Sequence, residues 1–522
     1  MKKTLALFCI VLFFAQCSSI KKNNARLQQL IGVDQLKKDV DFAQKKIQKL
    51  HPKLDYYISK ASLNHQFDSI KLTIDKAMTP LEFYKKISPV VASIRQGHSY
   101  VIAPEKAFSK KETKAIQKKG IGPFSQFNFS FYDNKLYIIK NKSYNKSITA
   151  GTEVVSVNGI KPKELIEEYN RFYSSDGFNT TYKKQIAPKR FISAFTTEYG
   201  IKDSLKYVLK SNDSIQTVLI KRLKLDSIDK KVRKTTPKTA VTTPAISKEY
   251  KQALRRKKRI NGYDKATNSF IRTLEFFPKD SSVAILKIKG FKKGNFRKFY
   301  HESFAKIQEH KSQTLIIDLR NNGGGRLSEI VNLYSFLSDS TFVFLKKSEV
   351  VSRASLFEGA YFNKGSYPVK VVKAIFSPFV YGYLLFTVRK DKDGKNYICS
   401  GTKPHKIDKK AFKGKIYVLI NGASFSASSI LSSNLKGSKR ATFAGEETGG
   451  DYNGTVAGFM PVVCLPHSKL KIRIGIMNIA PYHQTEVFGH GIYPDVPIIP
   501  SLEDQIQGKD TELEWIKNTL KN

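Results

Sequence analysis

Hydrophobic and polar positions change their period along the chain, and the changes divide it into blocks. Residues 25–115 follow a helical period. Val33-Asp34-Gln35-Leu36-Lys37-Lys38-Asp39-Val40 opens one amphipathic helix. Pro80-Leu81-Glu82-Phe83-Tyr84-Lys85-Lys86-Ile87 opens another, with Thr79 as its cap and Pro80 at its first position. The second helix is expected to end near Gln96-Gly97-His98-Ser99-Tyr100, with Val101-Ile102 as a strand. Residues 116–225 turn to a β pattern: Phe127-Asn128-Phe129-Ser130-Phe131 and Leu136-Tyr137-Ile138-Ile139 read as strands. Ile148 through Gly159 reads as a turn, a strand and an Asn-Gly turn, and Lys161 to Tyr173 as a helix. Residues 226–262 lose the pattern, being Lys/Thr/Pro-rich and ending in Arg255-Arg256-Lys257-Lys258-Arg259, and they read as a basic linker.

From residue 263 to 522 strands and helices alternate. Ser282 to Ile288 is a strand, Phe296 to His310 a helix capped by Asn295, Leu315 to Leu319 a strand and Ser328 to Leu337 a helix. Ile416 to Ile420 is a strand that leads through a small-residue turn into a helix, and Ala441 to Gly445 and Leu470 to Ile476 are strands. Such alternation predicts a mostly parallel sheet with helices outside. Residues 345–400 interrupt it. Their apolar stretch from Ala374 to Phe386, broken by Pro378 and Gly382, fits a lid, a membrane-dipping loop or a buried strand pair.

The ends of the chain and its charge add context. Lys2 and Lys3 precede the apolar run Leu5 to Ala15 and then Cys17. The run is too short to span a bilayer as a helix and fits a signal peptide over residues 1–16. Phe14-Ala15-Gln16-Cys17 resembles a bacterial lipobox, which implies cleavage before Cys17 and its lipidation. The protein is therefore expected outside the cytoplasm, anchored by lipid to an outer membrane, with a plain secretory signal as the alternative. Lys+Arg number 90 against 44 Asp+Glu, a formal charge of +46. The excess is spread along the whole chain without a nucleic-acid-binding motif, so no nucleic-acid partner is expected. Histidines and cysteines show no metal spacing, and neither a metal nor another cofactor is expected. Cys399 and Cys464 are left either to pair or to stay free.

Two turns carry the candidate chemistry. Asn421-Gly422-Ala423-Ser424-Phe425-Ser426-Ala427-Ser428-Ser429-Ile430 joins a strand to a helix, where a serine hydroxyl is exposed next to a helix N-terminus. Leu315 to Arg320 runs into Asn321-Asn322-Gly323-Gly324-Gly325, a glycine turn suited to presenting backbone N–H groups to an oxyanion. The pair points to acyl transfer.

The chain resembles secreted serine proteases of the C-terminal-processing (tail-specific) and tricorn-like family. The resemblance rests on Gly97-His98-Ser99, the Ile148–Gly159 segment, Asp318 to Gly325, Ser424 to Ile430, and Gly489-His490-Gly491-Ile492-Tyr493-Pro494-Asp495-Val496 with Leu502-Glu503-Asp504 and Asp510. It implies an α/β catalytic core of the ClpP/crotonase-like kind over 263–522, an N-terminal helical domain over 17–115 and a PDZ-like β-rich domain over 116–225. It implies Ser426 as nucleophile and the N–H groups of Gly324 and Ala427 as oxyanion donors. One branch of the family takes its base from a lysine beyond the serine, but that register holds Gly449-Gly450-Asp451 here. The tricorn-like branch uses a histidine ahead of the PDZ domain, which maps onto His98. Relatives place an orienting Glu where Phe488 stands, so Glu486, two residues earlier and on the same side of a strand, becomes the candidate. Protein or peptide substrates are implied, captured through a PDZ-like groove. A catalytically inactive relative that binds peptides or apolar ligands is the alternative, since the lysine is missing and Ser429 and Phe488 depart from the family pattern.

Overall fold

The computed structural model describes residues 20–224, 247–277, 280–358, 367–399 and 401–521. The expected signal peptide and Cys17 lie outside these residues, as do residues 225–246 of the basic stretch. After a helical segment over 20–26 come three helices, α1 (Val33–Leu50), α2 (Lys60–Leu72) and α3 (Pro80–Ala92). α1 buries Leu36, Val40, Ala43, Ile47 and Leu50 on one stripe, as its period requires. α3 starts with a capping box: the Thr79 hydroxyl accepts the Glu82 N–H, and the Glu82 carboxylate accepts the Thr79 N–H. It stops at Ala92, earlier than the sequence pattern implied, because Arg95 takes a left-handed φ of 55°. The chain then forms β1 (Tyr100–Ile102).

A short helix α4 (Lys110–Lys118) leads to five antiparallel strands that pair in chain order: β2 (Phe127–Tyr132), β3 (Lys135–Asn141), β4 (Thr152–Val157), β5 (Ser204–Ser211) and β6 (Ser214–Lys221). Two helices, α5 (Pro162–Asn170) and α6 (Thr181–Tyr199), lie between β4 and β5. Sequence reasoning missed α6. Pro188 sits inside it, and its buried stripe of Ala187, Phe191, Ala194 and Phe195 also includes Arg190. The expected linker 226–262 is corrected at its end, where α7 (Lys248–Asn261) forms with the Ser247 hydroxyl accepting the Tyr250 N–H. Lys, Arg, Gln, Glu and Ala favour helix, but only Ile260 of this helix is buried, so the charge hid the element.

The rest is the α/β block. It contains β7 (Arg272–Phe277), β8 (Asp280–Ile288), α8 (Phe296–Glu309), β9 (Thr314–Asp318) and α9 (Leu327–Ser335). Next come β10 (Ser348–Val350), α10 (Tyr367–Thr387), β11 (Val388–Lys390), β12 (Asn396–Ile398), β13 (Lys415–Ile420) and α11 (Ala427–Gly437). β14 (Thr442–Gly445), β15 (Thr455–Ala457), β16 (Val462–Cys464), β17 (Lys471–Arg473), β18 (Met477–Ile479), β19 (Val496–Pro497), α12 (Leu502–Gln507) and α13 (Thr511–Thr519) complete it. The central sheet has the order β19-β14-β13-β9-β8-β7, parallel throughout except for the antiparallel β7–β8 edge. All five residues of β9 are buried, as are the last five of β13, which explains their unbroken apolar runs. A second sheet runs β11-β12-β10-β18-β15 and a third β1-β17-β16. The third sheet ties the N-terminal segment to the core, and Asp39 of α1 strengthens the tie by accepting the N–H groups of His467 and Ser468 and the Ser468 hydroxyl.

The apolar stretch 374–386 is neither a buried strand pair nor broken at its proline: it belongs to α10, a single surface helix with Pro378 inside. Cys399 and Cys464 are both free and exposed. Arg272 and Glu329 form an ion pair with both side chains fully buried. The Arg272 Nε–H donates to Glu329 at 2.6 Å, and its other nitrogens donate to the carbonyls of Asn261, Lys293 and Lys292. The pair fastens β7, the end of α7 and α9, the helix that follows the glycine turn. Glu329→Leu is expected to strand the guanidinium and lower stability by about 3–5 kcal/mol, read from urea unfolding. A loss below about 1 kcal/mol would show that water or another group replaces the carboxylate.

Candidate active site

The central sheet places both candidate turns at one edge. β9 and β13 pair in register from Thr314↔Lys415 to Asp318↔Leu419, so the chain leaves both strands side by side. Beyond them the turns are stitched together. Phe425 N–H donates to the Asn322 carbonyl at 3.0 Å, Asn321 N–H to Asn421 Oδ1 at 2.9 Å, and the Ser424 hydroxyl to the Leu319 carbonyl at 2.8 Å. Asn322 is fully buried; its Nδ2 donates to the Ile288 carbonyl and its Oδ1 accepts the Gly324 N–H at 2.9 Å.

Three serines of the turn compete for the nucleophile's place, and their surroundings separate them. Ser424 is buried and donates to a backbone carbonyl, while Ser428 is buried with its hydroxyl unpartnered. Ser426 keeps partial exposure and lies 3.0 Å from His98, Oγ to Nε2. It adopts φ 60° and ψ −120°, a backbone state that side chains rarely take and that sharp strand-to-helix elbows impose. Ala427 begins α11, and its N–H has no hydrogen-bond partner among the described residues. Gly324, with φ +93°, sits against this elbow: a Cβ there would stand 2.8 Å from Ala427 N, Phe425 O and Ser426 Cβ. Only glycine fits. Ser429, where the family pattern has Glu, packs under Gly450, whose added Cβ would meet its Oγ at 2.4 Å.

His98 reaches the serine from the loop between α3 and β1, and that loop is held on each side. Gln96 Oε1 accepts the Val456 N–H at 3.1 Å, Asp176 Oδ1 accepts the Gly97 N–H at 2.8 Å, and the Ser99 hydroxyl accepts the Gly475 N–H at 3.1 Å. The imidazole lies against the Phe425 ring at 5.3 Å between centroids, and Tyr182 stacks on Phe425 at 5.1 Å. Burial pushes the His98 pKa down to about 4, with the charge of Arg473 adding to the effect. The ring is therefore neutral near pH 7 and able to accept a proton.

Glu486 requires a correction. It is exposed and makes no hydrogen bond or ion pair among the described residues. The expectation assumed strand alternation, but residues 482–490 form an irregular segment, where positions two apart share no side. No carboxylate hydrogen-bonds the His98 ring among the described residues. Phe488 joins an aromatic group with Tyr56, Tyr57 and Phe178 instead. Asp451, at the register of the missing lysine, is buried and accepts the Tyr57 hydroxyl at 2.7 Å. Sequence reasoning also missed Asp176, which lies in a loop without a motif; its partner is a backbone N–H, which leaves no trace in the spacing of side chains.

Residues 282–498 match the model of peptidase family S41. The chain thus carries a serine-type peptidase domain and is a hydrolase. Its fold is the mixed α/β fold of two solved structures of mature CPAF, the second complexed with lactacystin. The first is 13% identical, covers 93% of this chain and 96% of that chain, and superposes with a TM-score of 0.58. The complex gives 13%, 93%, 97% and 0.57. The photosystem II D1 C-terminal processing protease aligns at 14% identity over 90% of this chain and 96% of that one, with a TM-score of 0.40. No curated protein sequence matches the chain.

Burial raises the Asp176 pKa to about 7 and that of Asp451 to about 6. A carboxyl whose folded value is raised stabilises the fold fully below its unfolded value of about 3.9, and that contribution disappears as pH climbs through the folded value. Burial lowers the pKa of His51 to about 3 and of His98 to about 4, which acts in the opposite direction over the same range. The carboxyl's share is therefore read as a difference: Asp176→Asn, which can still accept the Gly97 N–H, is expected to gain stability relative to wild type as pH rises from 4 to 7 in urea titrations. An unchanged slope would assign the pH dependence to other groups.

Proposed function

We propose that the protein is an extracytoplasmic serine endopeptidase that cleaves peptide bonds through an acyl-enzyme at Ser426, with His98 as the base. The observation that carries the reading is the 3.0 Å contact between His98 Nε2 and Ser426 Oγ at a strained strand-to-helix elbow. Ser426 Oγ attacks the scissile carbonyl carbon while Nε2 takes its proton. The oxyanion that forms is held by the Ala427 N–H, at the positive end of α11, and by the Gly324 N–H. The Gly324 N–H is spent on Asn322 Oδ1 in this structure, so its use requires that bond to loosen as substrate arrives. The imidazolium then protonates the leaving amine, and water, deprotonated by the same imidazole, releases the acyl group and restores Ser426.

The β2–β6 sheet with α5 is the PDZ-like module of this reading, and the central sheet its ClpP/crotonase-like core. Support for peptide capture comes from a cavity of about 1060 Å³ between them, lined by Phe129 to Asn134 on the module and reaching Asn321 and Asn421 at the two turns. An extended substrate lying there would reach Asn321 and Asn421, which belong to the turns that carry Gly324 and Ser426. Location outside the cytoplasm and lipid anchoring rest on the Lys2–Cys17 pattern alone.

Cleavage of a quenched fluorescent peptide library tests the proposal. Ser426→Ala and His98→Ala are each expected to lower kcat/KM at least ~10³-fold with the fold intact. The acid limb of kcat/KM should fall well below the ordinary histidine value of about 6.5, toward about 4, where burial places His98. Activity kept by either variant, or an acid limb unmoved from the ordinary value, would contradict the assignment of His98 as a buried base.

A further inference from the structure

α10 is built inside out. From Pro368 to Thr387 it has a mean hydropathy of 1.4, and none of its most apolar window is buried. Val369, Val372, Phe376, Phe379, Tyr383 and Phe386 recur at alternating steps of three and four residues and form one stripe that faces solvent, with Phe379 76% and Phe386 84% exposed. Val371, Ile375 and Leu385 are exposed beside it and widen the stripe. The half-shielded positions, Lys373, Ser377, Val380, Tyr381 and Thr387, are on balance the more polar side. A helix of a water-soluble surface has the reverse arrangement, and an apolar patch of this extent marks a contact with something apolar.

Charge identifies the partner. Between Glu358 and Asp391 the sequence has no acidic residue, but it carries Lys364, Lys370, Lys373, Arg389 and Lys390. Two copies pairing through this stripe would set lysines against lysines with no glutamate to meet them, whereas helix pairs normally flank an apolar seam with opposite charges. A phenylalanine-rich apolar face flanked only by cations fits a bilayer with anionic headgroups. We infer that α10 docks this protein onto an anionic membrane surface, lying in the interface with the Val369–Phe386 stripe among the acyl chains. Its segment Pro368–Thr387, 20 residues at about 1.5 Å each, would reach across a hydrocarbon core, but its connections oppose spanning. α10 runs directly into β11, which joins through β12 to β10 on the chain segment that precedes the helix. Both flanks therefore return to one sheet. The body end of the helix is held where the Phe357 ring packs against Tyr381 at 4.9 Å and Glu358 pairs with Lys46 at 2.9 Å. The inference is independent of the serine chemistry.

Vesicle flotation tests it. The full chain with Cys17→Ala, which removes the acylation site, is mixed with vesicles of phosphatidylethanolamine and phosphatidylglycerol or of phosphatidylcholine alone. Binding to the anionic vesicles is expected to exceed binding to the neutral ones by ~10-fold or more and to weaken with salt. Phe376→Ser/Phe379→Ser/Phe386→Ser, all at exposed positions, is expected to reduce it by a similar factor while cleavage of soluble peptide and the melting temperature stay unchanged. Equal binding by wild type and variant, or no binding by either, would overturn the proposal. So would a dimer of the wild-type chain in sedimentation that the triple variant dissolves, since the stripe would then belong to a second copy.

Discussion

The parallel pairing of β9 with β13 is the constraint on which the site depends. Five paired positions bring a glycine turn and a serine turn, about a hundred residues apart in sequence, to the same sheet edge. Hydrogen bonds from Phe425, Asn321 and Ser424 then lock one turn onto the other. The lock leaves no room for a side chain at Gly324 and forces Ser426 to a positive φ. Strain at the elbow is thus sustained by many ordinary contacts around it, as strained sites generally are.

The histidine belongs to a different part of the molecule, and its placement is the second achievement of the fold. β1 adds to the edge of the β16–β17 hairpin, which fixes the chain just beyond His98, while Gln96, Gly97 and Ser99 are each bonded to a separate element. The side chains of Gln96 and Ser99 and the backbone N–H of Gly97 hold the loop, and among the described residues no carboxylate hydrogen-bonds the ring as one does in many serine hydrolases. The electrostatic consequence is a neutral imidazole with a low pKa; in the proposed mechanism it would serve as a base over a wide pH range, with less driving force than one poised near neutrality.

Much of this was legible in the sequence because parallel strands with both faces buried read as unbroken apolar runs, and because turns beside a nucleophile need small residues. Leu315 to Gly325 and Ile416 to Ile430 carried both signals and marked the two turns, within which family likeness pointed to Ser426, Gly324 and Ala427. His98 was reached only through family likeness, since no spacing joins it to the serine. What escaped has physical causes. Asp176 acts on a backbone N–H. Glu486 was placed by strand alternation in a stretch that is not a strand. α6 and α10 each contain a proline that the surrounding helix tolerates, and α7 is a helix made almost wholly of surface charge. The apolar face of α10 violates the rule that hydrophobic positions point inward, so no rule based on a water-soluble core could have oriented it.

The central claim is that one serine among several is activated by one histidine. Labelling of the intact protein with a fluorophosphonate, followed by mass spectrometry of its peptides, tests it most directly. The account predicts a single adduct on Ser426 that disappears in His98→Ala. An adduct on Ser424 or Ser428, or labelling of Ser426 that survives the loss of His98, would contradict it.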